Sequence, residues 1–66
     1  MESIAEALPK EQQRVRELIE IYEEIPAGCF AAAMMRQSLS LAEKAAASGD
    51  LVAMIAAYKD LESYTE

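Results

Sequence analysis

The segment from residue 26 to residue 50, PAGCFAAAMMRQSLSLAEKAAASGD, constrains the fold of this chain more than any other. When it is projected at about 100° per residue, its apolar positions fill an arc of roughly 200°. A helix that covers a single core shows an apolar stripe nearer to ~100° wide. The segment therefore predicts one continuous, alanine-rich central helix over residues 27–48, with neighbouring helices on two of its sides.

The segment before it carries the pattern of an amphipathic helix. In residues 9–24, apolar side chains recur at the spacing i, i+3, i+4 and i+7. Pro9 suits the first turn of a helix, where its missing N–H costs nothing. Proline also disfavours helical angles in the residue before it. We therefore predict a first helix over residues 9–24, preceded by a loose or short first turn in residues 1–8.

The sequence Gly49-Asp50 marks the boundary between the second helix and a third. Glycine supplies the left-handed residue that ends a helix, and aspartate is a favoured N-cap for the next. A third helix is predicted over residues 51–64, and so short a connection forces it to run antiparallel to the second. The expected fold is all-α: one domain, residues 1–66, built as a three-helix up-down-up bundle.

The small size of the chain favours self-association. A domain of 66 residues has a marginal core and usually needs a disulfide, a metal or an oligomer to stabilise it. One cysteine and no histidine leave the oligomer as the open route. We expect a homo-oligomer, a dimer before any other, formed by the second and third helices. The side chains expected to carry this contact are Met35, Leu39, Val52 and Tyr58.

Three other side chains admit two interpretations each. Cys29 lies near a predicted helix start, where the pKa of a thiol can fall and make it reactive. No activating base accompanies it, so we favour the interpretation of Cys29 as a small, partly buried side chain that fills space beside Phe30. Met34 and Met54 suit either an adaptable binding surface or the core. Their positions favour the core.

The residue types that catalysis requires are largely missing. Acid–base and nucleophilic chemistry needs a group that titrates near neutrality or an activated nucleophile, and this chain has no histidine. One thiol and scattered carboxylates provide no tetrahedral zinc site. We therefore predict no enzyme activity and assign no catalytic, cofactor-binding or metal-binding residue.

The net charge of −6 opposes binding to nucleic acid, whose phosphates must be neutralised by basic side chains. The acidic side of the first helix is a second candidate surface. Its carboxylates resemble a row of phosphates and suit a basic groove on a partner. This surface comprises Glu17, Glu20, Glu23 and Glu24. The alternative function is thus an acidic regulator or inhibitor, of possible phage origin, that covers a basic surface of a nucleic-acid-processing protein.

The lone cysteine favours a reducing, cytoplasmic compartment. The first ten residues have neither the basic start nor the apolar run of a signal peptide. No stretch approaches the roughly 20 apolar residues that cross a bilayer. We therefore expect a cytoplasmic protein without a membrane partner.

The run IPAGCFAAAMMRQSLSLAEKAAASGDLVAMIAAYKDLESY, residues 25–64, resembles small uncharacterised helical proteins of bacterial genomes and their prophages. The features that carry the resemblance are a Pro-x-Gly turn, an alanine-rich helix and a Gly-Asp junction. The resemblance implies a helical hairpin and brings no catalytic residue with it.

These observations predict a cytoplasmic protein-interaction module that acts by docking or self-association. Burial of a leucine side chain contributes about 1.5 to 3 kcal/mol, so a charge at Leu39 is expected to yield monomers or an unfolded chain. The test is the elution volume and melting temperature of Leu39→Glu. If neither differs from the parent protein, the prediction is wrong.

Overall fold

The computed structural model describes residues 2–65 and forms an all-α bundle of three helices, as predicted. The elements in chain order are α1 (Ile4–Glu23), a single 3-10 turn (Pro26–Gly28), α2 (Cys29–Ser48) and α3 (Leu51–Glu62). Each helix packs against both of the others. None of the residues 2–65 lies in a β-strand.

The core lies on the axis where the three helices meet. Leu8 and Val15 from α1, Met35 from α2 and Leu61 from α3 are the largest fully buried side chains. The other buried apolar residues are Leu18, Ile19, Ala32, Leu39, Ala42, Ala45 and Ala57. Much of the core contribution of α2 therefore comes from alanine, which fills little volume and lets neighbouring helices approach closely.

The start of α1 differs from the prediction. The helix begins at Ile4, and Pro9 lies inside it, where proline leaves the carbonyl of Ala5 without its usual partner and costs about 3 kcal/mol. The Ser3 carbonyl accepts the N–H of Glu6 at 3.0 Å, which closes the first turn. Leu8 is fully buried, and Ile4 packs against the core. This burial stabilises the turn that proline disfavours.

A tight connection joins α1 to α2, so α2 begins at Cys29 rather than at residue 27. Ile25 is extended, with φ −99° and ψ 122°, as expected of a residue before proline. The N–H of Gly28 donates to the Ile25 carbonyl at 2.8 Å. A Cβ on Gly28 would overlap the carbonyl oxygen of Tyr22 and lie 3.0 Å from its carbonyl carbon. Glycine is required here for space, since its φ of −91° suits any residue.

The predicted junction between α2 and α3 is confirmed. α2 is continuous to Ser48, and Gly49 adopts the left-handed conformation with φ 70°. Asp50 caps α3, because its Oδ1 accepts the N–H groups of Val52 at 3.1 Å and Ala53 at 3.3 Å. Two local signals thus fix where one helix ends and the next begins.

Arg14 of α1 holds the end of α3, which stops at Glu62 rather than at residue 64. Its Nη2 donates to the Leu61 carbonyl at 2.9 Å and its Nη1 to the Tyr64 carbonyl at 2.8 Å. Glu11 accepts from the same guanidinium at 2.8 Å, and this hydrogen bond is the main reason that the pKa of Arg14 is raised. A cation at the carboxyl end of a helix satisfies its last carbonyls and complements its dipole.

The residues after α3 are tied to the other two helices by tyrosine hydroxyls. The Tyr64 hydroxyl lies 2.8 Å from Ser38 Oγ and also donates to the Met34 carbonyl at 3.4 Å. The Tyr22 hydroxyl donates to the Thr65 carbonyl at 2.7 Å. The residues just after α3 thus lie beside the first half of α2, so these two helices run antiparallel.

Within residues 2–65, none of the helices combines the length and the apolar character that a transmembrane segment requires.

The two glycines predict different costs for alanine. Gly49→Ala forces an alanine into left-handed angles in open space, which costs about 1 kcal/mol. Gly28→Ala pushes a methyl group into backbone atoms that cannot move aside and is expected to cost more, about 2 to 3 kcal/mol. Urea unfolding followed by circular dichroism measures both. Equal or reversed losses would contradict the steric explanation for Gly28.

Candidate interaction surface

The four side chains expected to form an interface do not lie together. Met35 is 2% exposed and Leu39 7%, so both belong to the core of the single chain. Tyr58 is half-buried on α3, and Val52 is 77% exposed in the first turn of that helix. The structure thus moves Met35 and Leu39 from the expected surface to the interior.

The position of α1 explains why Met35 and Leu39 are covered. α1 packs beside α2, and ion pairs join the two helices between Arg36 and Glu23 and, at 3.7 Å, between Arg16 and Glu43. These contacts lie along the edge of α2 that is nearest to Leu39 in helical phase. The apolar arc of α2 has its uncovered edge on the opposite side.

The burial of Leu39 decides between the two outcomes predicted for Leu39→Glu. A carboxylate at a position 7% exposed loses its hydration without gaining a partner. We therefore expect this variant to unfold rather than to form a folded monomer.

The uncovered edge of α2 carries three large apolar side chains. Phe30 is 76% exposed, Met34 45% and Leu41 55%. Their spacings of four and seven residues place them on one line along the helix. The exposure of Met34 contradicts the prediction that it fills the core, and the exposure of Cys29 contradicts its interpretation as a small, partly buried filler beside Phe30. We call these three residues the apolar edge.

The apolar edge leads into a groove between α2 and α3. The groove has a volume of about 690 Å³ and is open to solvent on one side. Its lining residues are Leu41, Lys44, Ala45, Ser48, Ala53, Ala56, Ala57 and Asp60. Ala45 and Ala57 are buried and form its floor. Because alanines line both walls, the side chains leave the space between the two helices unfilled.

The groove carries one charge of each sign. Lys44 lies on the α2 wall and Asp60 on the α3 wall. Among residues 2–65, neither side chain takes part in an ion pair. The groove is thus electrically neutral and mostly apolar.

The four carboxylates of the predicted acidic surface are all exposed on or just after α1. Two of them already have partners within the chain. Glu17 accepts a hydrogen bond from Gln13 at 3.3 Å, and Glu23 pairs with Arg36. Glu20 and Glu24 are the two whose side chains have no partner among the described residues.

Tyr58 lies on the opposite side of α3 from the groove, beside acidic groups of α1 and α3. The negative charge of Glu62 is the main reason that the pKa of Tyr58 lies above its ordinary value of 10.0, and burial and Glu11 raise it further. The half-buried phenol therefore supports the contact of α3 with α1, and it does not extend the groove.

Within residues 2–65, the groove is lined by no cysteine and by no cluster of metal-binding side chains. Cys29 is exposed, and its thiol donates to the Pro26 carbonyl at 3.6 Å. Among residues 2–65, no three cysteine, aspartate or glutamate side chains lie close enough together to hold a metal ion.

Comparison of the chain with protein-family models, with curated proteins and with solved structures finds no match.

The pKa of Tyr58 predicts a loss of stability at alkaline pH. The folded protein holds the phenol proton more tightly than the unfolded chain, so this contribution is present below pH 10.0 and is lost as the pH rises through the folded pKa. Replacing Glu62 with glutamine should lower the pKa of Tyr58, as followed by NMR of its ring carbons. Glu20→Gln, with the same charge change on another helix, should leave it unchanged. A Tyr58 pKa that does not respond to Glu62→Gln would show that another group sets it.

Proposed function

We propose that this protein is a small helical interaction module that self-associates through the groove between α2 and α3 and acts by docking rather than by chemistry. The observation that carries the proposal is the apolar edge of Phe30, Met34 and Leu41, which is exposed in the single chain and continues into the groove. Contiguous apolar surface of this kind usually marks a contact site. We place the protein in the cytoplasm because of its single cysteine.

The form of the groove suits a helix better than a small molecule. The groove runs between two antiparallel helices with small residues on both walls, and a second pair of helices can pack against such a pair. The apolar edge extends from the groove toward the start of α2. A partner of helical length can therefore contact both the groove and the apolar edge. A small ligand in the open groove would leave the apolar edge exposed.

The size of the chain supports association between copies. A bundle of 66 residues with an alanine-rich core buries little apolar area, and oligomerisation is a common means by which such small domains bury more. A two-fold contact uses the same surface on both copies, so each exposed apolar residue in that surface is buried in both copies at once.

Leu41 is the side chain whose replacement best tests the proposal. Burying its exposed half contributes about 1 kcal/mol per copy, so Leu41→Gln should raise the dissociation constant of a dimer about thirtyfold. Ile21→Gln is the matched control, since Ile21 is 43% exposed but lies on α1, outside the groove. Sedimentation equilibrium over a wide range of protein concentration measures both. A wild-type protein that stays monomeric throughout, or equal effects of the two variants, would refute self-association through the groove.

Salt distinguishes this function from the acidic regulator. Apolar association persists at high ionic strength, whereas a complex formed by the carboxylates of α1 weakens as the Debye length shrinks to about 3 Å at 1 M salt. We expect the association constant to be equal or higher at high salt. A steep fall would instead favour the acidic surface that includes Glu20 and Glu24.

A further inference from the structure

We propose that two copies of this chain meet about a two-fold axis that runs along the groove, with Lys44 of each copy opposite the partner's Asp60. This inference rests on the proposed self-association and specifies its symmetry, its register and the charge pairs that select a second copy over other helices.

The distribution of charge favours a second copy on this side of the molecule. Residues 2–24 contain seven acidic and three basic side chains, a net charge of −4, whereas residues 29–65 contain four acidic and three basic, a net charge of −1. Two copies that approach with their groove sides therefore keep their acidic α1 helices apart. Any contact through α1 would bring like charges together.

The antiparallel order of α2 and α3 fixes what a two-fold axis along the groove brings together. The rotation exchanges the two sides of the groove and preserves the position along it, so α2 of each copy lies against α3 of the other. The groove is lined by α2 from Leu41 to Ser48 and by α3 from Ala53 to Asp60, and the antiparallel order of the helices places Leu41 level with Asp60. Lys44 lies three residues beyond Leu41, about 4.5 Å along the axis. Lys44 thus comes within one helical turn of the partner's Asp60.

The two charges are suited to pairing between copies. Each lies on a wall of the groove, and within residues 2–65 neither forms an ion pair. The symmetry generates the Lys44 to Asp60 contact twice. Leu41 lies one turn before Lys44 on the same wall of the groove, so the apolar side chain and the two charges form one self-complementary surface.

The decisive experiment uses charge reversal in two separate chains. Lys44→Glu places two carboxylate pairs across the interface, and Asp60→Lys places two ammonium pairs there. Each variant alone should raise the dissociation constant at least about tenfold. In an equimolar mixture, each reversed side chain meets its complement, so heterodimers should form with nearly wild-type affinity. Sedimentation equilibrium and native mass spectrometry of the full chain measure both.

Matched controls separate the pair from general charge effects. Lys59→Glu makes the same change as Lys44→Glu at an exposed position of α3 outside the groove, and Glu20→Lys matches Asp60→Lys on α1. Neither should change the dissociation constant by more than about twofold. Circular dichroism of every variant confirms folding, and the single chain that carries both Lys44→Glu and Asp60→Lys should again dimerise.

The outcomes distinguish this inference from the proposed function. A wild-type protein that never dimerises refutes both. If the wild type dimerises and Leu41→Gln weakens it, but the mixture of reversed chains gains nothing over either alone, self-association stands and the two-fold register is wrong. Preferential heterodimers in the mixture support the register directly, because only a contact between copies restores both pairs.

Discussion

The small size of the alanine side chains that line the groove between α2 and α3 determines both how the bundle is held and what it leaves open. Ala45 and Ala57 are buried where the helices meet, but a methyl side chain removes little apolar area from water. The small side chains on both walls leave the space between the two helices unfilled. The small side chains between α2 and α3 therefore have two effects. They limit how much this pair of helices contributes to stability, and they leave the groove open.

Polar contacts at its carboxyl end add to the packing that fixes α3. Leu61 is fully buried there, and Arg14 satisfies the carbonyls that follow it. The hydroxyls of Tyr64 and Tyr22 tie the last residues to α2 and α1. The polar contacts and the groove thus occupy different parts of α3. A partner that enters the groove displaces none of the hydrogen bonds that hold the bundle.

The sequence predicted the features that depend on neighbouring residues. Gly49 and Asp50 act within one turn of themselves, so the end of α2 and the cap of α3 follow from their chemistry alone. The start of α1 did not follow, since the local penalty of Pro9 is outweighed by the burial of Leu8 against other helices. The free energy gained by burying Leu8 comes from tertiary packing, which the local sequence does not show.

Which side of α2 is exposed also depends on tertiary packing and could not be predicted from the sequence. A helical projection gives the width of the apolar arc on α2, and two neighbouring helices were correctly expected from it. It does not give the direction from which they approach. Met35 and Leu39 lie on the covered side, and Met34 and Leu41 on the open side, because α1 and α3 also contact each other. The role of Arg14 was likewise hidden, since its partners lie 47 and 50 residues away along the chain.

The separation of charge from apolar surface also bears on how far assembly can proceed. In the proposed two-fold dimer, the contact uses the groove of each copy, so the dimer presents no second groove to a third molecule. Its outer surface is then formed largely by the two α1 helices, which carry most of the negative charge. Like charge on that surface opposes further association. The small side chains that leave the groove open and the acidic helix behind it thus favour a closed dimer over an extended assembly.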